Sequence, residues 1–379
     1  MTMTQKRPLR ILVGIRGNGQ SADAYYRARA PWSVVQYWVN ARLQEPEIEI
    51  KLQRLDTDLV AWADVVIAQR PNESLDEIII AEAQRLGKPV IVDVDDNLFD
   101  IPGSAGDIYD HYLQRGSLAI KAPLAFHKRC LQRADVVTVP TAELGEILAQ
   151  RIGKPDLDYR VLPNAVMRCD WDWMPHIVPQ WGIPEAGGDP PVTVGWFGYC
   201  YHWDDLRDVM PTLNEVICST NSRLVIMGFP EIVSVMPESL RERTYLEECV
   251  PFPEFQAIRQ LVKTFDIGLC PLTESDFNRG KSPLKAFQYG AAGAVPVCSA
   301  PVYGRVCGLQ ELGLVEDTWD GFGARLAQLI EDADLRQDLA GRWQERVFAE
   351  HCYEALEPET NAPLAVRWLE FVKELADES

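Results

Sequence analysis

The fold is decided between Phe277 and Cys298, where the chain reads FNRGKSPLKAFQYGAAGAVPVC. The strand-like run that precedes this stretch, 266–272, leads into a polar turn. We expect a helix that begins near Lys281, has Pro283 in its first turn and ends near Gly293, because proline is tolerated where its missing N–H has no partner to lose. A second apolar run, 295–299, completes a strand–turn–helix–strand unit, which is typical of a parallel α/β sheet.

The start of this helix carries the residues that bind an anion most readily. A helix N-terminus offers unpaired N–H groups and a partial positive charge, and both favour phosphate. The sequence adds two lysines and a serine to that end, which makes a diphosphate the natural ligand. The expected donor-binding residues of the segment are Arg279, Lys281, Ser282, Pro283, Leu284, Lys285 and Gln288. The alternative is an ordinary basic surface helix with a serine cap.

Length and composition indicate a globular protein of two domains. The chain has 379 residues, of which 47% are hydrophobic and 25% are charged, and a single core of that size is unusual. The net charge of −19 disfavours nonspecific binding to nucleic acid or anionic membranes. The nine cysteines form no C-x-x-C pair, and no apolar run is long enough to span a bilayer. We therefore expect a cytoplasmic protein without stable membrane insertion.

Apolar runs alternate with helical patterns in two successive blocks. This alternation predicts two Rossmann-like, doubly wound parallel sheets that face a cleft. We predict domains over residues 1–166 and 192–355, a proline-rich linker over 167–191, and a C-terminal helix over 356–379 that packs back on the first domain. The predicted strands are Arg10–Ile15, Ile48–Leu52, Asp64–Ala68, Pro89–Val94, Val136–Val139, Arg160–Leu162, Val192–Phe197, Arg223–Met227, Ile267–Leu272 and Val295–Ser299.

The first strand leads into a glycine-rich turn that contains Gly17, Asn18 and Gly19. Glycines at this position let the backbone approach a ligand closely. The dinucleotide pattern G-x-G-x-x-G is incomplete, because Ala22 stands where its last glycine would be. An ordinary strand–helix turn is the alternative, and we favour a contact with the donor from the opposite domain.

Three carboxylates crowd the end of the fourth strand, in the run VIVDVDDNLFD. One interpretation is a phosphatase of the haloacid-dehalogenase type, with Asp93 as nucleophile and Asp95 as acid and base, although Asn97 replaces its threonine. A second is a metal-binding D-x-D pair, for which no further ligand is evident. We favour the third, in which Asp95 and Asp96 position acceptor hydroxyl groups.

The second domain opens with TVGWFGYCYHWDDLRDV, another strand that runs into a helix start. We expect Gly198 and Tyr199 to contact the donor and His202 to contact a phosphate or the transferred sugar, with a helix-capping histidine as the alternative. Aromatic residues on later loops, Phe229 and Phe252, are candidates for flanking a nucleobase, or else hydrophobic anchors of those loops.

Taken together, the segments resemble the two-Rossmann glycosyltransferases of the GT-B fold, in particular the family-4-like branch (glycosyl transferases group 1) of bacteria and phages. The resemblance covers nearly the whole chain. It is carried in order by YYRARAP, DVDDNLFDIP, ADVVTVPTAEL, VLPNAV, GWFGYCYHWDDL, DIGLCPL and FNRGKSPLKAFQYGAAGAVPV.

This resemblance implies a nucleotide-sugar donor, such as a UDP- or GDP-sugar, on the second domain and an acceptor on the first. It further implies no metal, and transfer with retention of configuration. The catalytic candidates are Asp95, Asp96, His202, Lys281 and Lys285. Two glutamates of the family pattern are absent, because Gly280 and Gln288 stand in their places. A phosphatase or a catalytically silent nucleotide-sugar-binding protein therefore remains an alternative, and the acceptor and the oligomeric state stay open.

Overall fold

Two parallel sheets of six strands organise the protein. The computed structural model describes residues 7–15, 24–42, 48–105, 123–172, 190–248 and 255–378. The strands of the first sheet are β1 Leu9–Gly14, β2 Ile48–Gln53, β3 Val65–Gln69, β4 Val90–Asp93, β5 Val136–Val139 and β6 Tyr159–Val161. Those of the second are β7 Val192–Phe197, β8 Ser222–Gly228, β9 Thr244–Glu248, β10 Ile267–Cys270, β11 Val295–Ser299 and β12 Val315–Glu316.

The strand orders are those of doubly wound sheets. The first sheet runs β2-β1-β3-β4-β5-β6 and the second β12-β11-β10-β7-β8-β9, with every pairing parallel. In each sheet the strand order changes direction beside the first strand of its domain. Ligands of open α/β sheets bind at such a point, outside the carboxyl ends of the strands. The predicted fold class is confirmed.

Helices cover both faces of each sheet. In chain order the α-helices are α1 Ala30–Arg42, α2 Thr57–Trp62, α3 Ser74–Arg85, α4 Pro123–Arg133, α5 Ala142–Ile152, α6 Cys169–Asp172, α7 Trp203–Ser219, α8 Glu238–Arg241, α9 Phe255–Val262, α10 Asp276–Arg279, α11 Leu284–Ala292, α12 Ala300–Tyr303, α13 Cys307–Glu311, α14 Trp319–Glu331, α15 Ala333–Glu350 and α16 Val366–Asp377. A π-helical turn, Tyr25–Arg29, precedes α1. None of these helices combines the length and the apolar character needed to cross a bilayer.

The chain crosses between the domains twice, side by side. Of the predicted linker, 167–191, the structure describes only residues 167–172 and 190–191. The return crossing follows α15, where Val166 donates its N–H to His351 O and Tyr353 donates to Val166 O, both at 2.9 Å. After this crossing, α16 packs on α1 of the first domain, with the rings of Trp32 and Trp368 6.3 Å apart.

Candidate active site between the two sheets

The carboxyl ends of the two sheets face each other, and side chains bond across the gap. Four polar contacts join the segment 280–288 of the second domain to the first. They are Lys281 Nζ to Asp96 Oδ1 at 3.2 Å, Asn164 Nδ2 to Ser282 Oγ at 2.9 Å, Gln288 Nε2 to the Tyr26 hydroxyl at 2.7 Å and Thr141 Oγ1 to Gly280 O at 3.0 Å. The described residues are thus held in a closed arrangement over this segment.

The predicted anion-binding turn is a short helix, a break and a longer helix. Asn278 and Arg279, expected in a polar turn, form the second half of α10, which Ser275 caps with its side chain. The next helix, α11, begins at Leu284, and Pro283 is its N-cap rather than a member of its first turn. Proline brings no capping side chain, so the first amides of α11 keep their hydrogen-bonding capacity for a ligand.

Lys285 is a cation without an anion. Its Nζ lies 4.8 Å from the ring centre of Trp196 and 5.2 Å from that of Phe197, and it makes no hydrogen bond or ion pair with any described residue. Burial, together with the charge of Lys281, lowers its pKa to about 8, against Cys270 and Asp205, which raise it. An anion bound here would gain from the charge and would restore the usual pKa of the lysine.

Lys281, a predicted phosphate contact, forms an ion pair within the protein. Its Nζ pairs with Asp96 and lies 4.2 Å from the ring centre of Phe277. Burial alone would raise the pKa of Asp96, but Lys281 and then Arg70 outweigh it, and the pKa is lowered. The carboxylate of Asp96 is therefore charged, and it pairs with the lysine that was predicted to contact the diphosphate. Asp95 is oriented differently, with its Oδ1 3.9 Å from Arg70 Nη1.

Asp93 belongs to a buried structural network. It is 1% exposed and accepts bonds from Arg27 Nε at 3.1 Å, Arg27 Nη2 at 2.6 Å and the Thr138 hydroxyl at 2.6 Å. Arg27 is itself buried, with its guanidinium 4.5 Å from the ring of Trp368. Both oxygens of this carboxylate are already engaged by Arg27 and Thr138, so the phosphatase interpretation, with Asp93 as nucleophile, is not favoured.

His202 and Asp205 form a buried pair behind the lysines. Asp205 does not cap its helix. Its Oδ1 accepts from Thr273 N at 2.9 Å, Thr273 Oγ1 at 2.8 Å and Asn278 Nδ2 at 2.7 Å, and its Oδ2 lies 2.8 Å from His202 Nδ1. The pKa of Asp205 is lowered, because these hydrogen bonds outweigh burial. The pair thus ties the start of α7 to the loop that leads into α10.

The imidazole of His202 is neutral and has a fixed tautomer. Burial, together with the charges of Lys285 and Lys281, lowers its pKa to about 4, against Asp205, which raises it. Because Asp205 is a carboxylate, Nδ1 carries the proton and Nε2 is left as an acceptor. A neutral Nε2 accepts a hydrogen bond from a hydroxyl group and cannot donate one to a phosphate. Of the two predicted contacts, a sugar hydroxyl fits this state.

Gln288 lies on α11 one turn beyond Lys285, as predicted, but its amide faces the other domain. It is 6% exposed, and its nitrogen is used by Tyr26. Its oxygen is the atom left for a ribose hydroxyl. Gly280 packs against α5, where a Cβ would come within 3.1 Å of Leu144 Cδ1. The place of the other family glutamate is therefore filled by an interdomain contact.

The remaining predicted donor residues differ in their positions. Gly198 lies beside Lys285, and a Cβ there would be 3.2 Å from Lys285 Nζ. Tyr199 precedes a 3₁₀ turn, Cys200–His202. Phe229 is 6% exposed and packs on Trp203 in the core, so in this structure it is a hydrophobic anchor. The exposed Arg279 pairs with Asp276 at 3.3 Å. Gly17, Asn18, Gly19 and Phe252 lie outside the described residues.

Three residues of the first domain that bond to this site were not among the candidates. They are Tyr26, Thr141 and Asn164. All three occur in segments that carried the family resemblance, YYRARAP, ADVVTVPTAEL and VLPNAV. The signal was present in those strings, but residue type alone did not indicate which side chains cross the cleft.

Known proteins resemble this chain in structure and not in sequence. No model of a protein family matches the sequence, and no curated protein matches it. Among solved structures, HepE of Anabaena in complex with UDP and glucose aligns over 98% of this chain and 100% of its own, with 12% identity and a TM-score of 0.58. The chain has the GT-B fold.

Other GT-B structures align as completely. A Listeria monocytogenes protein provisionally assigned as a UDP-N-acetylglucosamine 2-epimerase covers 98% of both chains, with 12% identity and a TM-score of 0.53. A trehalose-6-phosphate synthase, studied with bisubstrate glycomimetics for glycosyl transfer with retention, covers 98% of this chain and 99% of its own, with 11% identity and a TM-score of 0.52. Because the GT-B fold carries more than one activity in these neighbours, the function has to be argued from the site.

Proposed function

We propose that this protein transfers a glycosyl group from a nucleoside diphosphate sugar to a hydroxyl group of an acceptor. The observation that carries the proposal is Lys285, a half-buried cation without an anionic partner among the described residues, at the first turn of α11. The neighbouring structure of HepE holds UDP and glucose, which supports UDP as the nucleotide of the donor.

The chemistry follows from the charge that develops as the sugar leaves. Bond cleavage places negative charge on the diphosphate, and fixed cations that face it stabilise the transition state. Lys285 supplies one such charge, and Lys281 supplies a second once it exchanges Asp96 for a phosphate oxygen. Two lysines and the amides of a helix N-terminus can do what a divalent metal does elsewhere, and we propose a reaction without metal.

The acceptor side of the reaction belongs to the acidic segment after β4. Released from Lys281, the carboxylate of Asp96 is free to accept a hydrogen bond from the acceptor hydroxyl, with Asp95 beside it. The neutral Nε2 of His202 accepts a bond from a hydroxyl of the transferred sugar. We propose transfer with retention, in keeping with the reaction studied in the neighbouring trehalose-6-phosphate synthase.

One observation favours a second candidate, a nucleotide-sugar-binding protein that does not turn over its ligand. The nitrogen of Gln288, at the place of a family glutamate, is engaged by Tyr26. A neutral amide binds a ribose hydroxyl without the strength of a carboxylate. This candidate predicts nucleotide binding with no release of UDP from any donor.

The deciding experiment is calorimetric titration with UDP, GDP and ADP, followed by an assay of UDP release from UDP-sugars. We expect UDP to bind the wild type and the double variant Lys281→Ala/Lys285→Ala to lose binding by at least about a hundredfold, since each charged contact contributes about 1.5–3 kcal/mol. The control is Lys154→Ala, which removes a lysine of the first domain remote from the cleft. A folded double variant that binds UDP like the wild type would contradict the proposal.

A further inference from the structure

A second pocket lies above the carboxyl ends of β1 and β3, within the first domain. Its lining is Gly14, Ile15, Arg54, Leu55, Ala68, Gln69, Pro71, Glu73 and Asp76. Its cavity volume is about 170 Å³, below the roughly 300–1,000 Å³ of sites for drug-sized ligands, so it suits a small ligand. All of these described lining residues belong to the first domain, whereas Lys281 and Lys285 belong to the second. Strand register places Gln69 beside Asp93, three residues before Asp96.

The pocket contains a buried amide without partners. Gln69 is 3% exposed, and neither its Oε1 nor its Nε2 has a hydrogen-bond partner in the described part of the chain. Asn72, on the same loop, is 2% exposed and has an Oδ1 that lacks one too. Nearly all buried polar groups in native proteins are paired, so unpaired ones call for a ligand, a water molecule or strain as their explanation.

The charges around the pocket select the kind of ligand. The helix α3 begins here, but its start is already capped by an anion, because Asp76 Oδ2 accepts from the N–H groups of Asn72 and Glu73, both at 2.9 Å. Glu73 is a second carboxylate, and Arg54, the one cation among the described residues of the lining, is exposed and pairs with it at 3.4 Å. Two carboxylates against one cation repel a phosphate.

We infer that this pocket binds an uncharged, hydroxyl-bearing sugar unit of the acceptor and that Gln69 is its specificity-determining residue. A sugar hydroxyl both donates and accepts, so one or two of them can satisfy both atoms of the amide. A site built to hydrogen-bond a hydroxyl group discriminates strongly against analogues that lack it, since its polar groups would then stay unpaired. The inference rests on the proposed function only in assigning the sugar to an acceptor. Binding of the sugar itself does not depend on the donor.

The first test is thermal unfolding of Gln69→Leu without ligand. An unpaired buried amide destabilises the protein, so removing it should raise the melting temperature by about 2–4 °C. The matched control is Gln84→Leu in the same domain. The Nε2 of Gln84 donates a hydrogen bond to Arg133 O at 2.5 Å, so this substitution should lower the melting temperature. A lower melting temperature in Gln69→Leu would show that the amide already has hydrogen-bond partners, for example a bound water, and would overturn the inference.

The second test is saturation-transfer NMR without nucleotide. The probes are the methyl glycosides of glucose, galactose, mannose and N-acetylglucosamine, together with glucose 6-phosphate. We expect wild-type protein and Gln84→Leu to give a signal with at least one neutral glycoside, and Gln69→Leu to lose that signal at least tenfold. A stronger signal from glucose 6-phosphate, no signal from any neutral glycoside, or equal signals in Gln69→Leu would each contradict the inference.

Donor binding separates this inference from the proposed function. Gln69→Leu should bind UDP as the wild type does, because Gln69 does not line the cation site. If the wild type binds no nucleotide, the proposed glycosyl transfer fails while the NMR result still decides whether the pocket takes a neutral sugar. If nucleotide binds and neutral sugars do not, only the present inference fails.

Discussion

At the residue scale, the most consequential contact is the ion pair between Lys281 and Asp96. It joins the two domains and sets a carboxylate of the protein in competition with the diphosphate of a donor. Asp96→Asn should therefore tighten UDP binding about three- to tenfold, corresponding to roughly 1 kcal/mol for a partly buried ion pair. The measurement is calorimetric titration with UDP.

The control for this prediction is Asp95→Asn, because Asp95 lies next to Asp96 and pairs with Arg70 instead of Lys281. It should leave the affinity for UDP unchanged. If Asp96 also orients the acceptor, Asp96→Asn combines tighter UDP binding with slower transfer. Weaker UDP binding in Asp96→Asn would show that the carboxylate does not compete with the nucleotide.

The pKa of Lys285, lowered to about 8, predicts a pH dependence of donor binding. Free protein loses the charge as the pH rises through 8, whereas a bound diphosphate raises the pKa and keeps the proton. Affinity for UDP should therefore fall by up to tenfold per pH unit above about 8, since one proton is linked to binding. Lys285→Arg keeps its charge at these pH values, and if it binds UDP its affinity should not change between pH 7.5 and 9. If the affinity for UDP falls with pH equally in the wild type and in Lys285→Arg, another titrating group causes the pH dependence.

At the scale of elements, the join between α10 and α11 explains why a family glutamate is missing. Gly280 packs against Leu144 of α5, and its carbonyl accepts a bond from Thr141. Gly280→Glu should force the domains apart and cost about 1–3 kcal/mol of stability through overpacking. Gly280→Ala, which adds one methyl group against a flexible leucine end, should have a much smaller effect.

The measurements for Gly280→Glu are thermal unfolding and the radius of gyration from small-angle X-ray scattering. We expect a lower melting temperature together with a larger radius. An unchanged radius with an unchanged melting temperature would mean that α5 and the turn do not touch in solution.

The strands show what the sequence could predict. The strands β1, β3 and β4 consist mainly of Val, Ile and Leu, and β7 and β11 are almost entirely buried; each of these five predictions agrees with the structure within one residue at both ends. β9 was missed because its sequence, TYLEE, is that of a half-exposed edge strand, and the two-residue β12 is too short to show a pattern. The turn between α10 and α11 lies where the sequence placed it, but the side-chain partners of Asp93, Asp96 and Gln288 come from 45 or more residues away. No local pattern records such contacts.

At the scale of the whole molecule, one buried and one partly buried histidine, His202 and His351, make stability sensitive to acid. Burial lowers the pKa of His202 and of His351 to about 4, and His351 stacks on Phe287 with ring centres 4.1 Å apart. Between pH 6.5 and 4 the unfolded state binds protons that the native state does not, so the free energy of unfolding falls as the pH falls. Each histidine contributes up to about 1.4 kcal/mol per pH unit.

The measurement is denaturant unfolding at pH 7, 5.5 and 4.5 for the wild type and for His351→Gln. The variant should lose stability less steeply with acid, whatever its stability at pH 7. If the free energy of unfolding falls equally with pH in both proteins, the pKa of His351 is not lowered in the folded protein.

The adjacent crossings at residues 166 and 352 determine how the two domains, or lobes, can be expressed separately. Because α16 returns to cover Trp32 and its neighbours, the first lobe is assembled from both termini. A gene fragment that stops after the sixth strand would leave this aromatic surface uncovered and prone to aggregate. The lobe can be excised only as two pieces, its amino-terminal segment and the carboxyl-terminal tail, fused or supplied together.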